Sequence, residues 1–331
     1  MGAKNMGEFT IGRAWSLGLD FIRRSPGGHA VLLIVMASVL PAAVQLALVG
    51  GGPSLMGPQM LRSAGPAAAL GAGPAFAVAG LAAYVLTNGG YFGSWRLGLG
   101  PDRDLGRSAG YGLLASLALI GLAVAVGILA FLLVGLLGGV GALIVALLVV
   151  PLFAAFYGVM VAMMGVGMLL MGLLVLLFGA ALGNLGGGFG NGGSIAGAFG
   201  LLVVVPLGLF ILWLTARLSC VAPAMASQGG FNLLHALGES WRLTGRAQLR
   251  IMLYLALVGT LFGIVYLLFA GAMAANVGMS AARGDIASFG IGTLVFGALI
   301  SIVTAYVSVI VPAGIYRSLQ PDVDASAAVF E

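Results

Sequence analysis

The chain has 331 residues, 61% of them hydrophobic and only 7% charged, with 56 glycines and a mean hydropathy of +1.16. A soluble domain carries roughly 25% charged residues, so this composition excludes a water-soluble globular fold and points to bilayer-spanning helices. The single cysteine, Cys220, excludes an internal disulfide, and two histidines cannot build a multi-histidine metal centre. The net charge of +5 lies in arginines that flank apolar segments, with no long basic run of the nucleic-acid-binding kind.

In chain order, the polar, arginine-bearing start lacks the compact apolar core and small-residue cleavage site of a signal peptide. Within 9–24, Arg13, Ser16, Asp20, Arg23 and Arg24 fall at helical spacing opposite Ile11, Trp15, Leu19 and Ile22. This predicts an amphipathic helix whose apolar side lies in the headgroup boundary, broken by Pro26-Gly27-Gly28. Apolar segments of spanning length follow at 29–50, 74–97, 111–134 and 195–216, and later at 251–272 and 289–315. A second amphipathic helix is predicted at 231–246, with His235, Glu239, Arg242 and Arg246 against Leu234, Leu237 and Trp241.

Positive charge assigns the sides, because Lys and Arg are retained in the cytoplasm. Lys4, Arg13, Arg23 and Arg24 precede the first span, and Arg96, Arg103 and Arg107 follow the second. Arg217, Arg242, Arg246 and Arg250 lie between the 195–216 and 251–272 spans, and Arg317 follows the last. Only Arg62 and Arg283 fall in connections on the other side, which predicts cytoplasmic termini. The uncharged stretch 139–182 must then contribute two crossings or none. Two crossings give eight spans; six, with a re-entrant pair buried in protein, is the alternative. Trp15, Trp95, Trp213 and Trp241 each lie within four residues of an arginine on the same side and are predicted to be interfacial anchors.

The two amphipathic segments share Gly12, Trp15, Leu17 and Arg24 with Gly238, Trp241, Leu243 and Arg250 at one constant offset, and Ser94-Trp95-Arg96-Leu97 echoes Ser240-Trp241-Arg242-Leu243. Either an internal duplication or a shared interfacial composition accounts for this. The opening Phe9-Thr10-Ile11-Gly12-Arg13-Ala14-Trp15 with Phe21-Ile22-Arg23-Arg24 resembles the membrane domain of bacterial glycerophosphodiester phosphodiesterases. Ala216-Arg217-Leu218-Ser219-Cys220-Val221-Ala222-Pro223-Ala224-Met225, followed by 236–242 and Arg250, resembles it too. The resemblance covers about residues 8–50 and 212–316 and is compositional between them. It implies a polytopic protein of the bacterial inner membrane with about six spans, 139–182 being an insertion. In that family the phosphodiesterase chemistry resides in a separate barrel domain, which nothing in this chain resembles.

Sites of chemistry are sparse. Gly188-Phe189-Gly190-Asn191-Gly192-Gly193 fits the spacing of a phosphate-cradling loop, but without a preceding strand or a downstream acid it reads as a glycine connection. A Walker loop is excluded because Lys4 is the only lysine. The acids lie outside the span centres: Asp102 and Asp104 read as a solvated turn, and His29 and His235 as interfacial residues. Polar residues inside the spans, among them Gln45, Thr87, Asn88, Thr215, Ser219 and Thr304, are expected to bond between helices. Pro41, Pro151, Pro206 and Pro312 free carbonyls, and the pairs Gly135/Gly139 and Gly259/Gly263 predict close helix approach.

The sequence therefore predicts an all-α polytopic transmembrane bundle of eight spans with two cytoplasmic interfacial helices. Residues 1–28 form the first of these, 29–317 the transmembrane domain including the second at 230–247, and 318–331 a short cytoplasmic tail. It predicts no enzyme activity, no catalytic residue, no cofactor and no metal. The expected function is to bind or organise lipid or envelope partners, with Arg13, Arg23, Arg24, Arg242, Arg246 and Arg250 on anionic headgroups. The partners implied are membrane lipids, with a second copy or another membrane protein as further candidates, and no nucleic acid. A permease for an apolar or amphipathic solute, lined by Gln45, Asn88 and Thr304, is the alternative.

Overall fold

The computed structural model describes residues 9–49, 66–101, 103–138, 149, 154–158, 161–162, 165–170, 192–283 and 287–320. Among these every regular element is a helix. The elements are α1 (Ile11–Arg23), α2 (Pro26–Ala30), a π-helical stretch (Val31–Val39), α3 (Leu40–Val49), α4 (Pro66–Leu99) and α5 (Leu105–Leu137). They continue with α6 (Gly192–Leu218), α7 (Val221–Gln228), α8 (Leu233–Thr244), α9 (Gln248–Arg283) and α10 (Ala287–Leu319).

Among the described residues, five helical segments are long and apolar enough to cross a membrane: Pro26–Val44, Leu105–Leu129, Val204–Gln228, Gln248–Leu268 and Gly297–Leu319. The chain is thus a multi-pass, membrane-embedded helical protein. The third of these runs past the predicted limit at 216, because the turn after Leu218 leads into α7, whose residues from Val221 to Ala226 are all buried. The predicted span at 74–97 lies within α4, a helix of 34 residues. Its later half is less apolar because protein, not lipid, surrounds it: Asn88, Gly89, Gly90, Gly93, Ser94 and Trp95 are all buried. The predicted total of eight depends on 139–182, most of which lies outside the described residues. Its pieces at 154–156, 161–162 and 165–170 are helical and packed into the bundle, with the Phe156 ring 5.7 Å from Phe92 of α4.

Both predicted amphipathic helices form. Thr10 caps α1 by accepting from the Arg13 N–H at 3.3 Å, and Asn232 caps α8 by accepting from the His235 N–H at 3.0 Å. Each such cap contributes about 1 kcal/mol. Pro26 opens α2 at a position where no N–H is needed and so ends α1, as its place in the sequence requires. The apolar side of α1, however, is not given over to headgroups. Ala14, Gly18 and Phe21 are buried on protein, with Ala14 and Gly18 set against Ile310 and Gly314 of α10. A side chain at Gly314 would run into the Ala14 carbonyl, so backbone meets backbone there.

Close approach recurs where α4 meets its neighbours. Gly89 and Gly93, four residues apart, face Gly112 of α5, and Gly90 faces the Leu32 carbonyl and Ala37 of the π-helical stretch. This is the seam that small residues at that spacing permit. The pairs singled out by sequence behave differently. A Cβ at Gly135 or Gly263 would meet nothing within 4 Å, whereas Gly259 is buried, and Gly139 lies outside the described residues. Spacing alone does not distinguish a glycine facing a helix from one facing lipid.

The proline expectation holds at Pro41. Lacking an N–H, Pro41 cannot donate to the Ala37 carbonyl one turn back, and Thr87 Oγ1 donates to it from α4 at 3.3 Å. Most other polar residues in the spans correct the expectation of interhelical bonding. Asn88 donates to Tyr84 O at 2.9 Å, Thr215 to Ile211 O at 2.8 Å, Ser116 to Gly112 O at 2.9 Å and Thr304 to Ile300 O at 2.7 Å. Each of these bonds runs one turn back on its own helix, but Thr304 Oγ1 also lies 3.4 Å from the Tyr266 hydroxyl of α9, a bond between helices as expected.

The glycine contacts give a paired test. Gly314→Val is expected to force α1 off α10 and lower the thermal midpoint of the detergent-solubilised protein, at a cost of about 1–3 kcal/mol for overpacking. Gly263→Ala is expected to leave the midpoint unchanged or raise it, because the added methyl enters open space in a helix.

Candidate functional site: a basic end held by arginine–carbonyl bonds

Long-range contacts gather the predicted cytoplasmic segments at one end of the bundle. His29 of α2 meets Ser94 of α4, Tyr111 of α5 reaches the Gly230 carbonyl before α8, and Trp95 of α4 reaches α10. Helices that end there leave their last carbonyls without intrahelical donors. Arginines donate to carbonyls at two such ends and to two carbonyls elsewhere. Arg96 donates to the Ala226 and Ser227 carbonyls at 3.1 and 3.4 Å, at the end of α7. Arg217 donates to Trp241 O of α8 at 3.2 Å, Arg250 to Phe9 O at 3.1 Å and Arg317 to Leu17 O of α1 at 2.9 Å. A hydrogen bond from a charged donor contributes about 1.5–3 kcal/mol. The exposed Asp20–Arg23 pair, at 3.6 Å, is of the kind that contributes about 0–1 kcal/mol. The bonds to carbonyls therefore outweigh the ion pair in fixing this end.

α8 is stitched to the turn after α6 by its own small polar residues. Ser240 Oγ donates to Arg217 O at 2.7 Å and accepts from the Cys220 N–H at 3.3 Å, while Thr244 Oγ1 donates to Arg217 O at 3.3 Å. The Arg217 guanidinium lies 4.9 Å from the Trp241 ring centroid and 6.0 Å from that of Trp213, and the two indoles meet edge-on at 5.6 Å. Gly229 makes the turn between α7 and α8 with φ +70, a left-handed conformation that glycine adopts without strain. A side chain there would also strike the Arg96 guanidinium.

The predicted site residues separate into two groups. Arg23, Arg24, Arg242 and Arg246 are exposed at this end, whereas Arg13 is half-buried and Arg250 is engaged with Phe9 O. Of the predicted anchors, Trp15 is 39% and Trp241 45% exposed, and Trp213 is half-buried beside Phe210. Trp95 corrects the expectation: it is 1% exposed, and its Nε1–H donates to Val309 O at 3.0 Å. It is a core residue that ties α4 to α10. His29 is corrected likewise. It is fully buried, with Nδ1 2.6 Å from Ser94 Oγ and its ring 4.6 Å from that of Phe21, whereas His235 is exposed.

Asp104 caps α5 by accepting from the Arg107 N–H at 2.8 Å, and Asp102 lies outside the described residues. The glycine-loop pattern lies outside them from Gly188 to Asn191, and its last two residues open α6. Asn88 and Thr304, named for a solute path, each donate to a carbonyl on their own helix, and Thr304 Oγ1 also lies 3.4 Å from the Tyr266 hydroxyl of α9; the Gln45 side chain lies outside the described residues. Among the described residues no three His, Cys, Asp or Glu side chains converge on a metal position.

One cluster had no signal in the sequence. Glu239 Oε2 accepts from Gln228 Nε2 at 2.7 Å, and Oε1 accepts from the Tyr316 hydroxyl at 3.1 Å. That hydroxyl also lies 3.0 Å from Ser227 Oγ, so α7, α8 and α10 meet at one carboxylate. Tyr316 is 77 residues from Glu239, beyond any helical periodicity. No protein-family model matches the chain, and neither does any curated protein or solved structure.

Arg217 tests the way this end is held. Arg217→Lys retains the charge but loses the planar fork and its stacking, and is expected to destabilise by about 1–2 kcal/mol. The near-ultraviolet circular dichroism of the Trp213/Trp241 pair should weaken in parallel. An unchanged spectrum and midpoint would show that the cation–π pair does not fix α8.

Proposed function

We propose that the protein is a non-enzymatic membrane module that binds and organises lipid at the basic end of its bundle. The observation that carries this reading is the division of labour among the arginines. Arg96, Arg217, Arg250 and Arg317 hold the interfacial elements, while Arg23, Arg24, Arg242 and Arg246 present exposed guanidinium groups beside the exposed rings of Trp15 and Trp241. Planar cations matched to phosphate, next to indoles suited to a headgroup boundary, fit anionic lipid. The excess of arginine at this end supports a cytoplasmic placement for it and for both chain termini. The resemblance of residues 8–50 and 212–316 to the membrane domain of bacterial glycerophosphodiester phosphodiesterases supports a bacterial inner membrane and a role apart from that family's barrel-borne chemistry. Eight spans remain the proposed total.

The test uses the full chain in neutral detergent, titrated with phosphatidylglycerol. Replacing Arg24, Arg242 and Arg246 together with Gln is expected to weaken binding by about two orders of magnitude at low ionic strength, and by less as salt rises. Binding that is unchanged in the triple variant at low salt would overturn the reading.

A further inference from the structure

A hollow of about 380 Å³ opens on α8, lined by Leu234, His235, Gly238, Glu239 and Arg242. Its lining is amphipathic. Leu234 is 81% exposed, and Phe231, one turn before His235, is 45% exposed. At the polar side stand a carboxylate, an imidazole and a guanidinium. Glu239 takes both of its hydrogen bonds from neutral donors, Gln228 and Tyr316, and among the described residues no cation lies within ion-pair distance of it. A carboxylate held by neutral donors across three helices has no oppositely charged partner among the described residues, which leaves it for a cationic ligand group to meet. Arg242, three residues on, lies on the same helix face, the Cβ atoms of such a pair being about 5–6 Å apart, and supplies positive charge. The hollow thus offers a negative and a positive group on one helix face, with an apolar rim.

From this arrangement we propose that the hollow binds the headgroup of a phosphoethanolamine lipid, its ammonium on Glu239, its phosphate on Arg242 and His235, and its chains over Leu234 and Phe231. A phosphate with a primary ammonium satisfies both charges, and an ammonium supplies three donors to a carboxylate that has accepted only two. An anionic headgroup would place its phosphate well but would leave Glu239 facing a like charge. The exposed apolar rim selects a lipid over the free headgroup. This inference rests on the reading of the basic end as a lipid-binding surface, and assigns one position in it a different headgroup from that bound by the other arginines.

Gly238 supplies a variant that blocks the hollow without damaging the fold. A Cβ there would meet nothing within 4 Å, so Gly238→Leu fills the space and favours the helix. The experiment is native mass spectrometry of the delipidated full-length protein, titrated separately with phosphatidylethanolamine, phosphatidylcholine, phosphatidylglycerol and free phosphoethanolamine. The expected result is one tightly held phosphatidylethanolamine per chain, bound at least tenfold more tightly than phosphatidylcholine, whose methylated ammonium has no N–H to donate. Gly238→Leu and Glu239→Gln should each weaken this binding at least tenfold and change phosphatidylglycerol binding by no more than about fivefold, the share of one arginine in three. Free phosphoethanolamine should fail to compete at millimolar concentration.

Equal retention of phosphatidylethanolamine in wild type and Gly238→Leu would overturn the inference. Competition by free phosphoethanolamine would overturn the lipid assignment. If phosphatidylglycerol still binds through Arg24 and Arg246 in either case, the broader reading stands while this site falls. If neither lipid binds the wild-type protein, both fall together.

Discussion

A helix that ends at a membrane boundary exposes carbonyls that its own backbone cannot satisfy, and the way these are answered governs the rest of this structure. Arginines answer two such ends by reaching across to another element, Arg96 to α7 and Arg217 to α8, while Arg317 adds a bond to Leu17 O in the middle of α1 and Arg250 one to Phe9 O before it. Each bond links a span to an interfacial piece of chain. The interfacial helices are consequently fixed to protein, and their positions relative to one another follow from the spans beneath them. Ser240 and Thr244 extend the same solution, donating to the Arg217 carbonyl while the Arg217 side chain donates back to Trp241. The exchange is reciprocal, which makes α8 and the end of α6 one unit.

Glycine provides the complementary constraint. α1 sits against α10 through Ala14, Gly18 and Gly314, close enough that no side chain fits between Gly314 and the Ala14 carbonyl. Only this approach brings Leu17 O within 2.9 Å of Arg317. The same holds for α4, where Gly89, Gly90 and Gly93 admit α5 and the π-helical stretch. In a bilayer, where lipid tails are as apolar as Leu, such contact replaces hydrophobic burial as the source of helix association. The bonds and the glycine contacts thus depend on each other: the glycines set the distance, and the arginines fix the orientation.

The helical class, the two amphipathic segments and the gathering of positive charge at one end were legible in sequence because each is a periodic or compositional property. Hydropathy marks a span, and helical spacing marks α1 and α8. Side-chain environment was not legible, and the repeated tetrapeptide shows why. Ser94-Trp95-Arg96-Leu97 and Ser240-Trp241-Arg242-Leu243 are the same four residue types, yet Trp95 is buried at 1% and Trp241 is 45% exposed. Arg96 is spent on the end of α7, while Arg242 lines an open hollow. The difference lies in the neighbours: α4 is enclosed by other helices, and α8 packs on one side only. No local pattern carries that information. The link from Glu239 to Tyr316 is hidden for the same reason, since it exists only when α8 and α10 are side by side.

Polar residues within the spans lead to a last consequence for function. Asn88, Ser116, Thr215 and Thr304 each return their hydrogen bond to a carbonyl on the same helix, one turn back. Such a bond spares the bundle an unsatisfied polar atom at the cost of a small local bend, and Thr304 also meets the Tyr266 hydroxyl of α9 at 3.4 Å. Thr87 departs from the pattern because Pro41 leaves the Ala37 carbonyl short of a donor, so its bond across the helices repairs the backbone. The polarity of these side chains is thereby met within the protein, on their own helix or on a neighbour. Charges with room to meet a ligand are found instead at the basic end, where arginines not engaged in holding helices, and one carboxylate bonded only by neutral groups, face outward. Recognition at a surface of this kind depends on headgroup chemistry, and its selectivity follows from which charges the fold has already used.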